Sequence, residues 1–322
     1  MLSEFDLIAR YFTRSHTINP NAALGVGDDC ALLAPVPGMQ LAISTDMLVE
    51  GRHFFPGASP FKLGHKCLAV NLSDLAAMGA EPLAFTLALS LPEINEAWLK
   101  DFSAGMFALA DAHGCELVGG DTTRGPLTIC ITVFGQVPAG QALRRDAAQV
   151  GDDIWVSGSL GEARLALAGR LTEMVMDTAT IEASAVRMDQ PNPRLALGLR
   201  LRNIAHAALD VSDGLAGDLG HILKASRVGA TLDADSLPVG PALQSMPLEI
   251  RRQFALAGGD DYELCFTAPV SKRDSVLHAA TAAGGAVTRI GRIEEQAGLR
   301  ITDSSGNPIS VPLQSFDHFK TP

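Results

Sequence analysis

The sequence predicts two domains, an N-terminal domain of the α+β class over residues 1–140 and a C-terminal α/β domain over 150–322. The chain has 322 residues, enough for two cores. Apolar runs up to residue 137 follow the order strand, strand, helix, strand, helix, strand, strand, which favours one sheet with helices on one face. After a polar, irregular stretch around 138–151, strands and helices resume with glycine-rich turns between them.

The first domain opens with a short helix and two strands. Phe5, Ile8 and Phe12 recur at helical spacing, which indicates an amphipathic helix. Residues 25–33 place an acidic pair between glycine and an apolar strand. Residues 41–46, Leu-Ala-Ile-Ser-Thr-Asp, predict a buried strand that ends in two hydroxyl groups and a carboxylate.

A long helix is predicted over 59–78, because Ser-Pro favours a helix start and glycine follows its last turn. The helix is mostly apolar, yet it carries Asn71 and Asp74 on one face. A buried, unpaired carboxylate is costly, so Asp74 requires a partner. A metal ion and a hydrogen bond to a neighbouring backbone group explain it equally well.

A strand over 83–91 and a helix over 95–113 precede a fourth strand, 116–118. This strand is expected to stop at a loop of sequence Gly-Gly-Asp-Thr-Thr-Arg-Gly, 119–125. Glycines allow the backbone to approach a bulky anion. A carboxylate would repel bare phosphate, so the arrangement favours a divalent cation held by Asp121 between protein and phosphate. On this stretch alone an ordinary tight turn is the stronger interpretation. A further strand is predicted over 127–137.

The second domain repeats the same local pattern. Predicted strands at 154–157 and 207–211 alternate with helices at 158–171, 181–188, 194–203 and 215–226. The second strand leads into Asp-Val-Ser-Asp-Gly, and residues 258–261 read Gly-Gly-Asp-Asp. Carboxylates beside Gly, Ser or Thr at predicted strand ends are therefore Asp28, Asp29, Asp46, Asp121, Asp210, Asp213, Asp260 and Asp261.

Such carboxylates favour a cleft that holds hard, oxygen-seeking cations, Mg²⁺ or Mn²⁺, because His and Cys ligands are not clustered. Several divalent ions suit a polyphosphate and in-line phosphoryl transfer. The sequence has no G-x-x-x-x-G-K-[ST], no protein-kinase motif set, no H-E-x-x-H and no G-x-S-x-G. With these motifs absent, the interpretation that is left is a nucleotide site built on aspartates.

Charge and composition exclude several other classes. The 36 acidic and 25 basic side chains give a net charge of −11, which argues against binding to nucleic acid or an anionic membrane. The five cysteines form no C-x-x-C pair, as expected of reduced thiols. No signal peptide is recognised, and the longest apolar stretch, 83–91, is too short to span a bilayer. We expect a cytoplasmic protein.

Six segments, in order, resemble the thiamine-monophosphate kinase family. They are Gly-Val-Gly-Asp-Asp-Cys-Ala (25–31), Ile-Ser-Thr-Asp (43–46), Ala-Val-Asn-Leu-Ser-Asp-Leu-Ala-Ala-Met-Gly-Ala (69–80), Gly-Gly-Asp-Thr-Thr-Arg-Gly (119–125), Asp-Val-Ser-Asp-Gly-Leu (210–215) and Gly-Gly-Asp-Asp-Tyr-Glu-Leu (258–264). The resemblance covers essentially the whole chain. It implies the PurM-like two-domain architecture of the aminoimidazole-ribonucleotide-synthetase superfamily, a homodimer formed through the N-terminal sheet, and ATP-dependent conversion of thiamine monophosphate to thiamine diphosphate.

The resemblance also implies roles for individual residues. The implied magnesium ligands are Asp29, Ser44, Thr45, Asp46, Asp74, Asp121, Asp210 and Asp213. The implied ATP contacts are Gly120, Asp121, Arg145 and Ser212, with Asp121, Arg145 and Asp213 as catalytic residues, and the implied contacts to thiamine phosphate are His53, Asp260 and Phe316. The family often has Glu at position 260 and Tyr or Trp at position 316.

Two other functions remain open at this stage. One is a different ATP-dependent reaction of the same superfamily, such as selenophosphate or aminoimidazole-ribonucleotide synthesis. The other is a non-catalytic protein whose acidic loops bind metal. The loops lack the spacing of an EF-hand, which argues against the second.

Overall fold

The computed structural model describes residues 3–14 and 17–312. The chain forms two compact units. The N-terminal unit comprises Met1–Leu75 and Ala80–Gly140, and the C-terminal unit comprises Ala76–Gly79 and Gln141–Pro322. Within the described ranges, no helix is both long and apolar enough to cross a membrane.

The N-terminal unit is a four-stranded sheet with two long helices. Its elements are α1 (Glu4–Tyr11), β1 (Ala22–Leu24), β2 (Leu32–Leu33), β3 (Met39–Val49), α2 (Pro60–Ala77), β4 (Glu81–Leu91), α3 (Glu96–His113), β5 (Glu116–Arg124) and β6 (Thr128–Pro138). The sheet order is β3-β6-β4-β5. Strand β6 is antiparallel to both neighbours, whereas β4 and β5 are parallel.

Helices α2 and α3 lie close to where their sequences place them. The Asn95 side chain accepts a hydrogen bond from the amide of Trp98 and caps α3, which ends at Gly114 in the left-handed conformation. The two helices cross at Gly64 and Gly105. A Cβ atom at Gly105 would lie 1.9 Å from the carbonyl oxygen of Phe61, and one at Gly64 would lie 2.1 Å from that of Phe102.

The structure corrects two predictions for the strands. Residues 119–124 are not a loop, because β5 runs through them to Arg124 and pairs with β4 along that length. The pairing of β5 with β4 contains a register shift just before Gly119. At Gly120 the two strand backbones lie so close that a Cβ atom would be 1.8 Å from the carbonyl oxygen of Leu87. Strand β3 does not end at Asp46 and is not buried. It continues to Val49 as an edge strand, with alternate residues exposed.

The C-terminal unit is a six-stranded mixed sheet surrounded by helices, which confirms the predicted α/β composition. Its elements are β7 (Asp153–Ser157), α4 (Glu162–Arg170), α5 (Thr178–Asp189), α6 (Leu195–Leu201), β8 (Ala207–Asp210), α7 (Leu215–Ser226), β9 (Gly229–Asp233), α8 (Pro241–Gln244), α9 (Leu248–Ala257), β10 (Leu264–Ala268), α10 (Arg273–Ala282), β11 (Val287–Glu294) and β12 (Gly298–Thr302). The sheet order is β12-β9-β11-β7-β10-β8, and only β12 and β9 pair in parallel.

Candidate active site

In the N-terminal unit, one group of predicted ligands lies between β3 and α2. The Ser44 hydroxyl donates a short hydrogen bond to the Asp74 carboxylate. The amide of Asp46 donates to Oδ1 of Asn71 at 3.1 Å, and the Asn71 side chain is fully buried. Asn71 also donates to the carbonyl of Cys67 at 3.0 Å, so it fixes the helix against the strand. The i, i+3 pair on α2 therefore brings Ser44, Asp46 and Asp74 together.

Asp121 and Thr45 lie on the face of this sheet that is opposite to Ser44 and Asp46. The register joins Asp46, Ile131, Leu87 and Gly120 in one row across the four strands, and paired residues share a face. Asp121 is one residue further along β5, so its side chain leaves the opposite face. The edge strands β3 and β5 are separated by roughly 14 Å, three strand spacings. The structure does not bring Asp121 together with Asp46 within this unit.

The remaining predicted residues of this unit lie on loops. Asp28 and Asp29 are exposed, and Oδ1 of Asp28 accepts a hydrogen bond from the Asp29 amide at 2.8 Å. His53 is half-buried, and its Nδ1 accepts a hydrogen bond from the amide of Val49 at 3.0 Å. A neutral His53 ring therefore carries its proton on Nε2.

In the C-terminal unit the structure does bring two predicted acidic segments together. Strands β8 and β10 are antiparallel neighbours, and their pairing continues beyond the strand ends. The amide of Val211 donates to the carbonyl of Glu263, that of Tyr262 to the carbonyl of Val211, and that of Asp260 to the carbonyl of Ser212, each at 2.8 Å. The segments 210–214 and 258–263 thus form one hydrogen-bonded pair of loops.

The side chains of this loop pair differ in exposure. Asp210 is buried, Ser212 and Asp260 are half-buried, and Asp213 is exposed. Asp260 and Tyr262 have φ values of 66° and 49°, in the left-handed region that is unfavourable for residues other than glycine. The Tyr262 hydroxyl donates to Oδ1 of Asp260 at 3.2 Å, which holds that carboxylate in place.

A buried ionic cluster anchors the second loop, and the sequence reasoning missed it. Glu263 is 1% exposed and accepts hydrogen bonds from the Ser157 hydroxyl at 2.5 Å and from the Arg194 Nε at 2.6 Å. The carboxyl of Asp261 accepts from the amide of Gly161 at 2.9 and 3.0 Å. Burial raises the pKa of Asp261 well above its ordinary value, and the charge of Glu263 raises it further. Asp261, expected among the carboxylates of a cation-binding cleft, is thus a buried structural residue.

A second anchor, Asp218 in the first turn of α7, was also missed. Its Oδ2 accepts hydrogen bonds from the backbone amides of Ser212, Asp213 and Gly214 at 3.0, 3.0 and 3.1 Å. Burial raises the pKa of Asp218 to about 6. An acidic residue three positions after the apolar Leu215 lies on the inner face of the helix, and this spacing could have identified it.

Arg145 lies in the segment that precedes β7, with its side chain exposed and its carbonyl accepting a hydrogen bond from the Ser226 hydroxyl at 2.8 Å. Among the described residues its guanidinium forms no ion pair, whereas that of Arg144 binds Asp146. The predicted substrate contact Phe316 lies outside the described residues. No group of three or more His, Cys, Asp or Glu side chains within 3–14 and 17–312 is arranged to hold a metal ion.

Comparison with known families and structures gives consistent matches over the whole chain. The profile of the AIR synthase related protein N-terminal domain matches residues 27–137, and that of the AIR synthase related protein C-terminal domain matches 149–304. The thiamine-monophosphate kinase of Salmonella typhimurium is 45% identical over 322 residues, 99% of each chain. The Escherichia coli K12 enzyme of that name is 45% identical over 321 residues, also 99% of each chain.

Solved structures of the same family are also similar to this chain. The thiamine-monophosphate kinase of Stenotrophomonas maltophilia K279a is 52% identical, with a TM-score of 0.83 over 88% of this chain and 91% of that one. The AaThiL structure complexed with AMPPCP and TMP is 29% identical, with a TM-score of 0.77 over 88% of this chain and 89% of that one. The hydrogenase maturation protein HypE is 21% identical with a TM-score of 0.77 over 99% of this chain and 96% of that one, a likeness of fold alone.

Proposed function

Because the chain belongs to the thiamine-monophosphate kinase family of AIR synthase related proteins, we propose that it transfers the γ-phosphoryl group of ATP to thiamine monophosphate. The products are thiamine diphosphate and ADP, and the reaction would complete thiamine diphosphate biosynthesis. The observation that carries the proposal is the 45% identity to named kinases across 99% of both chains. The similar AaThiL structure, complexed with AMPPCP and TMP, supports both substrates.

The donor chemistry of the predicted ligands fits magnesium. Their side chains offer carboxylate and hydroxyl oxygens, which Mg²⁺ prefers, and Ser44 and Asp74 already lie within hydrogen-bonding distance. Bound there, magnesium would neutralise charge on the β- and γ-phosphate oxygens. Several such ions are proposed, and the residues that would hold them, not all at one position, are Asp29, Ser44, Thr45, Asp46, Asp74, Asp121, Asp210 and Asp213.

The other predicted residues bind and orient the two substrates. Gly120, Arg145 and Ser212 contact ATP, and the exposed Arg145 guanidinium offsets charge on the transferred group. Asp260, fixed by Tyr262, and the Nε2 proton of His53 contact thiamine monophosphate. Phe316, which lies outside the described residues, is assigned to the same substrate because its side chain can stack on a ring.

No residue of the chain has to remove a proton before transfer. The attacking atom is a phosphate oxygen of thiamine monophosphate, and the second pKa of a phosphate monoester is about 6, so the oxygen is anionic near neutral pH. Direct in-line transfer therefore requires positioning and charge neutralisation and no covalent phosphoenzyme. A site rich in oxygen ligands and poor in acid–base pairs suits this chemistry.

Product analysis tests the proposal. The protein is incubated with Mg-ATP and thiamine monophosphate, and the products are separated by anion-exchange chromatography. We expect thiamine diphosphate and ADP in equal amounts. AMP or free phosphate formed with a different acceptor would instead indicate another reaction of the superfamily. Tight Ca²⁺ binding with no nucleotide dependence would indicate a non-catalytic metal-binding protein.

A further inference from the structure

The amide groups of Ser212, Asp213 and Gly214 converge on one oxygen of Asp218, which is 5% exposed. Consecutive amides that point to one position form a nest, an arrangement that binds phosphate or carboxylate groups in many proteins. Here the nest is filled by the chain's own carboxylate. The loop therefore has no amide available at these three positions for a substrate phosphate.

We propose that Asp218 is a positioning residue that turns the 212–214 amides inward, so that the loop presents oxygen ligands to a magnesium–nucleotide complex. This inference rests on the proposed function. The Ser212 carbonyl is also engaged, because it accepts from the Asp260 amide at 2.8 Å. Of the two side chains, that of Ser212 is half-buried and that of Asp213 is exposed. A glycine-rich phosphate loop has the opposite polarity, with its amides facing the ligand.

The hydrogen bonds of Asp218 shape the loop and not only the helix. Helix α7 has Gly214 as its N-cap, which provides no side-chain cap. A helix-capping side chain bonds to the second or third amide within the helix. Asp218 instead bonds to the cap residue and to the two residues before it, which carry the predicted ATP and metal contacts. Its own amide donates to Gly214 at 3.0 Å and closes the first turn.

The test compares Asp218→Ala, which removes the acceptor, with Asp218→Asn, whose carboxamide oxygen can accept the same bonds. Amide exchange of the 212–214 peptide is followed by mass spectrometry. Binding of a non-hydrolysable ATP analogue is measured by calorimetry across a Mg²⁺ series. Asp152→Ala is the matched control, because this buried carboxylate also accepts a backbone hydrogen bond, from Gln149 at 3.0 Å, but lies at the opposite end of β7 from the acidic loops.

In Asp218→Ala we expect amide exchange at 212–214 to accelerate by about tenfold or more, and the Mg²⁺ concentration for half-maximal analogue binding to rise about tenfold, equivalent to about 1.4 kcal/mol. Asp218→Asn should keep both quantities within about twofold of the wild type, because the acceptor is retained. Asp152→Ala should lower the melting temperature and change neither. If Asp218→Ala does not fold, Asp218→Glu, which displaces the acceptor by one methylene, should raise the Mg²⁺ requirement in its place.

Unchanged Mg²⁺ dependence in a folded Asp218→Ala variant, or in Asp218→Glu where Ala fails to fold, would overturn the inference. An Asp218→Asn variant as impaired as Asp218→Ala would also overturn it, since charge and not the acceptor would then matter. A failure of the proposed function would be recognised by a different result, because the wild type would then form no thiamine diphosphate. Amide exchange and nucleotide binding would still test the role of Asp218.

Discussion

At the residue scale, Asp121 and Asp261 carry the same carboxyl group in opposite environments. Asp121 is exposed on an edge strand, so its substitution does not disturb the core. Asp261 is 6% exposed, and burial raises its pKa well above the ordinary value. The first environment suits a carboxylate that shares an ion with a substrate, and the second suits a buried carboxyl that accepts a structural hydrogen bond from the Gly161 amide. The two residues therefore lead to different predictions.

Asp121→Asn should lower kcat by at least about 100-fold, because it weakens stabilisation of charge in the transition state. The melting temperature should stay within about 1 °C of the wild type, since exposed substitutions change stability little. Thiamine diphosphate formation and calorimetry measure the two quantities. Thr123→Ala, on the same face of β5 and also exposed, is the control that should keep its activity. Wild-type turnover in Asp121→Asn would remove Asp121 from the metal site.

Asp261→Asn should change how stability depends on pH. The folded-state pKa of Asp261 is raised, so its stabilising contribution is fully present below the unfolded-state pKa of about 3.9 and is lost as pH rises through the window above it. Asparagine does not titrate and avoids this loss. Urea unfolding at pH 4 and pH 7 should therefore show the variant gaining, relative to the wild type, about 1 kcal/mol or more over this interval. Parallel pH profiles would contradict the assignment.

At the scale of elements, the crossing of α2 and α3 fixes the helix layer that carries Asp74 against the sheet. The backbones touch at two glycines, and a methyl group at either would collide with a carbonyl oxygen of the other helix. Protein interiors are close-packed, so an added methyl group at such a contact must displace neighbouring atoms. The separation of α2 and α3 thus depends on Gly64 and Gly105.

Gly105→Ala should destabilise the protein by about 1–3 kcal/mol, because the added Cβ atom forces the helices apart. The matched control is Gly220→Ala, since Gly220 lies inside α7 with no atom within 4 Å of an added Cβ. That control should stabilise the protein by about 0.5–1 kcal/mol through helix propensity. Chemical denaturation of both variants provides the comparison. A neutral Gly105→Ala would show that the crossing is loose.

The sequence was most informative where an element carries its own end signals. Asn95 and Gly114 frame α3, and the structure places the helix between them. It was least informative for β5, because glycine and hydroxyl residues typical of a turn form a strand when β4 supplies the hydrogen bonds. The same limit applies to the site. Acidic residues at predicted strand ends were expected to meet in one cleft, and the structure pairs two of those segments in the C-terminal unit but leaves Asp121 and Asp46 on opposite faces of the N-terminal sheet. The helical spacing from Leu215 marks Asp218 as inward-facing, whereas the partners of Glu263, Ser157 and Arg194, are distant in sequence and depend on tertiary packing.

At the scale of the whole molecule, one face of the N-terminal sheet exposes apolar side chains along its edge strand β3. Leu41, Ile43 and Met47 on β3 are 48%, 59% and 56% exposed and alternate along the strand on one face. Apolar groups so arranged favour association. This supports the proposal of a homodimer formed through the sheet, in which a second copy covers these side chains.

Ile43→Asp should therefore convert the dimer to a monomer, because a carboxylate would be buried without a partner at the interface. Ile94→Asp is the matched control, since Ile94 is 43% exposed in the same unit but lies outside the sheet. Light scattering after size-exclusion chromatography gives the mass of each variant. A monomeric wild type, or an Ile43→Asp variant that remains dimeric, would argue against the sheet as the interface.

The backbone ladder between 210–214 and 258–263 has a consequence for how this chain can vary. The amides of Tyr262 and Asp260 bond to the carbonyls of Val211 and Ser212, two rungs in fixed register. Deleting or inserting a single residue in either segment would slip this register and turn the next side chain away from its partner. Changes of length are therefore expected in connections elsewhere, whereas these two segments, distant in sequence, tolerate substitution more readily than insertion or deletion.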